Sequence, residues 1–392
     1  MQLIKSKRQI TNYQKTNTMI SILKHLMHII IGALVIMLVS CGDKRDYLAE
    51  AKSQLDDADY LSYTSTAYFP IPDTKLVDTT ITKFEVAFDS KFQAGLNFIK
   101  SSDRSDLIFI DGQLTTVNHS NKVSRIYLNE HFKDEEQFNE SVKNSINSRW
   151  SPLVFMQKEY KYKADTTVNS VAVRDYFEVE LDTIFEGLKV YVENHVFIDD
   201  RAEVERFERR NYNDGSLSQK ITIDFSDFRF KKQNNDLSYT APKDYVTAYG
   251  QPKKLVSKKV GELAPEFSGV TMAGDSLQLT DFKGQKVLLN FSVITCGNCK
   301  AALDYINDED FQLSDEIPIV YINPEDNEAK MKIYREDLEI PFPVITSAKS
   351  VGEAYGVNSY PRFFLVDEEG VIEKVEIGFS KDFLDEFRTT IE

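Results

Sequence analysis

The feature that most constrains this chain is a pair of cysteines, Cys296 and Cys299, with two residues between them. The pair follows the apolar run Val287–Val293 and precedes Lys300–Leu303, which can continue as a helix. This spacing allows a small disulfide ring. Because a helix N-terminus favours negative charge, the turn should lower the pKa of the Cys296 thiol and raise its nucleophilic thiolate fraction. The sequence therefore predicts a redox-active pair at a strand-to-helix turn.

The third cysteine, Cys41, ends the apolar segment Ile29–Ser40 near the start of the chain. Residues 1–40 contain five Lys or Arg and no Asp or Glu. A basic region before a short apolar core is typical of a signal peptide, with export starting from Met19. Leu38–Cys41 resembles a bacterial lipobox, in which the cysteine is lipidated and becomes the new N-terminus. The alternative is an uncleaved membrane anchor, although the run is short for a span. Both interpretations predict that the rest of the chain leaves the cytoplasm.

The composition fits a folded, exported protein. The formal net charge is −15, and an acidic chain argues against nucleic acid, which needs clustered basic residues. Hydrophobic residues make up 42% of the chain, with 26 Phe and 19 Tyr, which supports buried cores rather than disorder.

The chain is predicted to have four divisions. They are a signal peptide over 1–40, an antiparallel β-rich domain over 41–245, a linker over 246–262 with Pro, Gly and a basic cluster, and an α/β domain over 263–392.

Residues 263–392 alternate strands and helices. The run Val287–Val293 is almost wholly apolar and predicts a central strand. A βαβ unit followed by a hairpin and a closing helix is the order of the thioredoxin fold. The remaining predicted elements are strands at 277–279, 317–322, 362–366 and 371–375, and helices from 299, over 327–338 and over 381–391.

Three segments carry a family resemblance: Gly261–Phe267, Leu279–Phe291 and Tyr355–Asp367. They resemble the TlpA/ResA family of membrane-anchored thioredoxin-like proteins. The resemblance implies an α/β thioredoxin fold and disulfide exchange with no cofactor other than the cysteine pair. It also implies that Cys296 is the nucleophile, that Cys299 resolves the mixed disulfide, and that Pro361 has a cis peptide bond and packs against the pair.

The substrate is expected to bind around this pair, at Thr295, Gly297, Asn298 and Tyr360, whose backbone can pair with an extended segment. The expected partners are disulfide-containing exported proteins, a thiol electron donor in the membrane, and the membrane itself through lipid on Cys41. The expected location is the cell envelope, as a periplasmic or outer-membrane lipoprotein. Reduction is the expected direction, although the reduction potential decides it.

Four places near the pair differ from the residues common in thioredoxin or in thioredoxin-like proteins. Thr295 stands where Trp is usual, and Gly297–Asn298 stands where Gly-Pro or Glu-Pro is common. Ala302 occupies a position where many TlpA-like proteins have Glu. Asn290 replaces the buried Asp of thioredoxin itself, although Asn is common at this position in the TlpA family. Both nearby proton acceptors are therefore neutral, so the sequence offers no evident general base for Cys299.

Two other kinds of cysteine site fit less well. A peroxiredoxin needs Thr or Ser three residues before its reactive cysteine, and here that residue is Val293. A zinc site needs about four ligands, but residues 260–392 contain no His and no third Cys.

The β-rich domain shows many alternating strands separated by hairpin turns such as Asp111–Gly112. A helix at Tyr47–Leu55 followed by these strands resembles the lipoprotein-carrier (LolA/LolB-like) half-barrels. The resemblance implies an α+β fold with a curved antiparallel sheet that can hold acyl chains. The alternative function is therefore a lipid-anchored binding or carrier protein with a non-catalytic thioredoxin-like docking domain. His119 and His195 lie singly among the strands and are expected to be structural.

Overall fold

The computed structural model describes residues 45–388 except 73, 89–94, 133, 147, 233–236, 251–256 and 309–316. The predicted signal segment and Cys41 lie outside these residues. The helices are α1 (Tyr47–Asp56), α2 (Glu135–Ile146), α3 (Pro152–Phe155), α4 (Gly297–Ile306), α5 (Glu328–Asp337), α6 (Lys349–Tyr355) and α7 (Lys381–Asp385), with 3₁₀ turns at Asn129–His131 and Leu279–Phe282.

The first twelve strands belong to one sheet. They are β1 (Tyr60–Pro70), β2 (Val77–Phe88), β3 (Leu96–Ser102), β4 (Ser105–Ile110), β5 (Gln113–Asn118), β6 (Val123–Tyr127), β7 (Lys161–Val168), β8 (Val171–Phe185), β9 (Leu188–Asp199), β10 (Val204–Asn213), β11 (Ser216–Lys231) and β12 (Val246–Tyr249). The seven others are β13 (Ser268–Val270), β14 (Ser276–Gln278), β15 (Val287–Phe291), β16 (Ile319–Ile322), β17 (Val344–Ile345), β18 (Arg362–Val366) and β19 (Ile372–Ile377).

The large sheet has the strand order β12-β6-β5-β4-β3-β2-β1-β11-β10-β9-β8-β7 within the described residues. It is curved but is not a closed barrel, which confirms the predicted fold class of this region. Its neighbours pair antiparallel, apart from β12 and β6. The turn Asp111–Gly112 joins β4 and β5 with both residues at positive φ, as a tight hairpin requires.

The predicted linker begins inside this sheet rather than after it. Val246–Tyr249 pairs in parallel with β6, with Val246 opposite Val123. A segment of β-branched and aromatic residues can add to an open sheet edge, and composition alone did not separate it from the linker that follows. Residues 251–256 of that linker lie outside the described residues.

The C-terminal domain contains a five-stranded sheet in the order β17-β16-β15-β18-β19. Every residue of β15 is buried, as its apolar run predicts, and β15 pairs in parallel with β16 and antiparallel with β18. Two apolar clusters cover the sheet on its two faces, one including Leu289 and Phe364 and the other Leu288 and Phe363. This arrangement confirms the predicted thioredoxin fold.

Several boundaries in this domain differ from the sequence prediction. The helix predicted from Cys299 begins two residues earlier, because Cys296 caps its N-terminus. The closing helix is α7, which ends at Asp385, and residues 389–391 of the predicted helix lie outside the described residues. No helix among the described residues is long and apolar enough to cross a membrane.

Candidate active site

The end of β15 places the cysteine pair at the start of α4. Cys296 is the residue before the helix, and its Sγ accepts a hydrogen bond from the Cys299 backbone N–H at 3.1 Å. The two residues form a disulfide with their Cα atoms 5.2 Å apart. Once the bond is reduced, the same N–H and the helix N-terminus stabilise a thiolate on Cys296. The pair predicted from the sequence therefore sits in the expected strand-to-helix turn.

The two cysteines differ in exposure. Cys299 is fully buried, whereas Cys296 is partly exposed. Gly297 and Asn298 are exposed, and Thr295 is partly exposed. A substrate disulfide can therefore reach Cys296 across these three residues, while Cys299 can be reached only through Cys296. This asymmetry is what a nucleophile and a resolving thiol require.

The second wall of the site begins at the cis peptide bond between Tyr360 and Pro361. Arg362 pairs with Phe291 across β18 and β15, so Pro361 lies at the end of β15 from which the cysteine segment leaves. Tyr360 is half-buried, and its hydroxyl lies 3.5 Å from Oε1 of Glu325. Burial and the neighbouring Glu325 raise the pKa of Tyr360 to about 12. The topology thus brings Tyr360 and Pro361 to the same sheet edge as the cysteine pair.

The two neutral positions noted in the sequence are both fully buried. Asn290 Oδ1 accepts a hydrogen bond from the Ser292 hydroxyl at 2.6 Å, and its Nδ2 has no hydrogen-bond partner among the described residues. Ala302 packs in an apolar cluster against β15 and β18. Neither position supplies a proton acceptor for Cys299.

One carboxylate near this segment, that of Asp326, belongs to no motif of the sequence and was not predicted. It is 7% exposed, and its Oδ2 accepts hydrogen bonds from the Ile294 backbone N–H at 3.1 Å and from Asn323 Nδ2 at 3.0 Å. The available signal was topological. Because β15 and β16 are parallel, the segments that follow them meet at one edge of the sheet. Asp326 therefore fixes the backbone two residues before Cys296.

Within the described ranges, no group of three or more His, Cys, Asp and Glu residues is arranged to hold a metal ion. The cysteine pair itself is the group at this site that can carry electrons.

Comparisons with known proteins agree with this geometry. A family model described as Redoxin matches residues 259–390. The thioredoxin-like protein YneN of Bacillus subtilis is 32% identical over 129 residues, which are 32% of this chain and 76% of YneN. This chain belongs to the redoxin family. The thiol-disulfide oxidoreductase ResA of Bacillus cereus, a further redoxin relative, is 28% identical over 141 residues, covering 35% of this chain and 82% of ResA.

Among solved structures, StoA from Bacillus subtilis is 26% identical to this redoxin, with a TM-score of 0.28, covering 32% of this chain and 97% of StoA. The redoxin match includes both cysteines, Tyr360 and Pro361. It confirms the predicted resemblance of the C-terminal domain to TlpA/ResA-like proteins and identifies the chain as a thiol–disulfide oxidoreductase. The large sheet precedes the matched residues.

Proposed function

We propose that this thiol–disulfide oxidoreductase reduces disulfide bonds of exported proteins at the cell envelope, where a lipid on Cys41 anchors it. The observation that supports this most is the asymmetry of the pair. Cys296 is accessible at a helix N-terminus, and Cys299 is buried behind it. The basic and apolar residues before Cys41 support export and lipidation.

The exchange proceeds in two thiolate displacements. The Cys296 thiolate attacks one sulfur of the substrate disulfide; that bond breaks, and the departing thiolate takes up a proton. Cys299 then loses its proton and attacks Cys296 Sγ, which breaks the mixed disulfide and releases the second substrate thiolate. The substrate gains two electrons and two protons, and the Cys296–Cys299 pair loses them. A thiol donor in the membrane then reduces the pair again.

A trapping experiment tests the role of each cysteine. In the Cys299→Ser variant, the first displacement occurs but the second cannot, so we expect mixed disulfides between Cys296 and exported proteins. The matched control is Cys296→Ser, which removes the attacking sulfur and should trap nothing. If Cys299→Ser also traps nothing, the alternative of a binding or carrier protein with a non-catalytic docking domain is favoured.

The reduction potential of the pair tests the direction. A value of about −250 mV or lower, close to that of thioredoxin, supports a reductase fed by a membrane donor. A value near −120 mV, as in strong oxidants, contradicts the proposed direction. The measurement is an equilibrium titration against glutathione and dithiothreitol, with the Cys296–Cys299 peptide quantified by mass spectrometry.

The large sheet suggests a second function, the binding of an apolar ligand with an anionic group. It contains a cavity of about 190 Å³ lined by apolar and hydroxyl-bearing side chains that include Phe69, Phe84, Trp150, Ser65 and Thr82. Lys100 also lines this cavity, and burial lowers its pKa. No carboxylate among the described residues pairs with Lys100. Because even a partly buried cation loses hydration without gaining a partner, an anion in the cavity would be stabilised by Lys100.

Trp150 provides a direct assay for this binding, because it lines the cavity and is the only tryptophan of the chain. We expect dodecanoate to change its fluorescence and Lys100→Met to weaken the binding at least tenfold. The matched control is Lys83→Met, since Lys83 is an exposed lysine on the neighbouring β2. No response to dodecanoate, or equal weakening by both substitutions, contradicts this function.

A further inference from the structure

The large sheet contacts the C-terminal domain beside the segment that carries the nucleophile. Ile71, between β1 and β2, is 3% exposed and packs in one apolar cluster with Ile294 and Leu303. Ile294 is two residues before Cys296, and Leu303 is on α4, which Cys296 caps. A side chain from the connection between two strands of the large sheet thus shares one apolar cluster with residues of the segment and of the helix that hold the redox pair. Residues 50–392 accordingly form one compact unit.

A side-chain amide of the sheet also reaches this segment. Gln219, on β11, donates from Nε2 to the Pro70 carbonyl at 3.1 Å and to the Thr295 carbonyl at 3.5 Å. Its amide therefore bridges the end of β1 and the residue before the nucleophile. Inside the C-terminal domain, Asp326 holds the neighbouring N–H of Ile294. The segment is thus fixed by one group from each part of the chain.

One ion pair and one hydrogen bond also join the two parts. Asp78, on β2, accepts hydrogen bonds from Lys330 Nζ of α5 at 2.9 Å and from Arg104 Nη2 at 3.1 Å. Burial alone would raise the pKa of Asp78, but these two hydrogen bonds outweigh it and hold the pKa below its ordinary value. A further contact joins Lys381 Nζ to the Glu186 carbonyl at 3.1 Å.

These contacts act on the geometry that sets thiolate stability. The Cys296 sulfur receives the Cys299 N–H only while the turn before α4 keeps its conformation. Since the reduced form gains this stabilisation as a thiolate, a looser turn should change both the reactivity of Cys296 and the redox equilibrium. On the basis of the proposed exchange, we propose that Ile71 and Gln219 are positioning residues for Cys296. The large sheet is thereby a structural part of the redox site.

The test measures Cys296 directly in the full chain. The variants are Ile71→Ala and Gln219→Leu, with Ile71→Val as the conservative rescue. The reduced protein is alkylated with iodoacetamide across pH 5–9, and the Cys296 peptide is quantified by mass spectrometry. We expect the midpoint of the pH profile to shift in Ile71→Ala and Gln219→Leu and to be restored in Ile71→Val. We also expect a fivefold change in the equilibrium with dithiothreitol, equal to about 20 mV for a two-electron couple.

Matched controls separate positioning from general loss of stability. Ile108→Ala truncates a buried isoleucine of β4 to the same extent, and Gln113→Leu removes a glutamine whose amide donates to Thr115 within the sheet. Both controls should leave the Cys296 profile unchanged. The proposal is overturned if Ile71→Ala and Gln219→Leu keep the wild-type profile and potential, or if the controls shift them equally.

These outcomes are independent of the proposed direction and substrate. Iodoacetamide and dithiothreitol report on Cys296 whether the pair reduces or oxidises its partners. A failed trapping experiment with Cys299→Ser would remove the proposed function while leaving the positioning result standing. If Cys299→Ser traps mixed disulfides but the Cys296 profiles of Ile71→Ala and Gln219→Leu are unchanged, the proposed function stands and the positioning role is overturned.

Discussion

The C-terminal domain and the large sheet bury their strands in different ways. All five residues of β15 are buried, because the sheet of this domain is covered on both faces. By contrast, residues 179–185 of β8 are all exposed, and Ile184 is 71% exposed. In the C-terminal domain, the chemistry is confined to a few residues at one sheet edge. In the large sheet, the functions proposed above depend on a cavity and on contacts made by residues far apart in sequence.

The sharpest test of this difference is the loss of one sulfur atom. Cys296→Ser should reduce the rate of insulin disulfide reduction with dithiothreitol to the background without protein, because serine cannot form the mixed disulfide. Lys83→Met, on the exposed face of the sheet, should keep the wild-type rate. Residual activity in Cys296→Ser would mean that the activity does not reside in this pair.

The next largest effect should be on stability and should come from the large sheet. His195 is fully buried, with Nδ1 2.6 Å from Asp175 Oδ1 and Nε2 3.0 Å from Glu193 Oε1. His195→Leu removes the histidine from between two buried carboxylates, so we expect a loss of about 3–5 kcal/mol in unfolding free energy. Urea denaturation followed by circular dichroism measures it.

The control for this variant is His119→Leu. His119 is more exposed than His195 and contacts Asp106 and Tyr245, so its loss should cost less. The rate of disulfide reduction per folded molecule should be unchanged in His195→Leu. A stable but inactive His195→Leu protein would show that this histidine takes part in the reaction, against the structural role expected from the sequence.

The sequence predicted the cysteine site of the C-terminal domain more completely than the contacts that other segments make with it. Cys296, Cys299 and Pro361 belong to contiguous motifs, so the site could be placed before the fold was known, and the disulfide and the cis peptide bond are present. Asp326 and Gln219 could not be found in that way. They reach the site through strand order and domain contact, which no local pattern encodes.

The predicted secondary-structure elements show the same difference between local and long-range information. The nearly continuous apolar run of β15 predicted a buried central strand, because a strand covered on both faces is apolar at nearly every position. The short strand β12 and the two-residue β17 carry too few residues for a periodic signal. Their positions depend on neighbours that lie far away in sequence.

A smaller effect is expected where the two parts meet. Asp78→Asn removes the charge that pairs with Lys330 and Arg104. Since these groups are only partly buried, the unfolding free energy at pH 7 should fall by about 1 kcal/mol or less. Because the folded-state pKa of Asp78 is lowered, this stabilisation is present above the ordinary value of 3.8 and is lost as the pH falls through the lowered value. Urea unfolding at pH 7, 5 and 3 measures how the unfolding free energies of the wild type and the variant approach each other as the pH falls.

The comparison pair for Asp78 is Asp244 and Lys122, which are both well exposed at the sheet edge. Asp244→Asn should leave the unfolding free energy unchanged at every pH. A difference between Asp78→Asn and wild type that does not shrink at all between pH 7 and pH 3 would show that the side chain acts through packing rather than through its charge.

The smallest expected effect concerns Tyr360. Burial and Glu325 raise its pKa to about 12, so the hydroxyl stays protonated over the working range and cannot serve as a base there. Tyr360→Phe should therefore keep the pH dependence of disulfide reduction between pH 6 and 9. The rate should change by less than about threefold, since we propose that the backbone of Tyr360, not its hydroxyl, pairs with substrate. If the pH profile of Tyr360→Phe is displaced, the hydroxyl takes part in proton transfer together with Glu325. That role would matter because neither Asn290 nor Ala302 supplies a proton acceptor at this site.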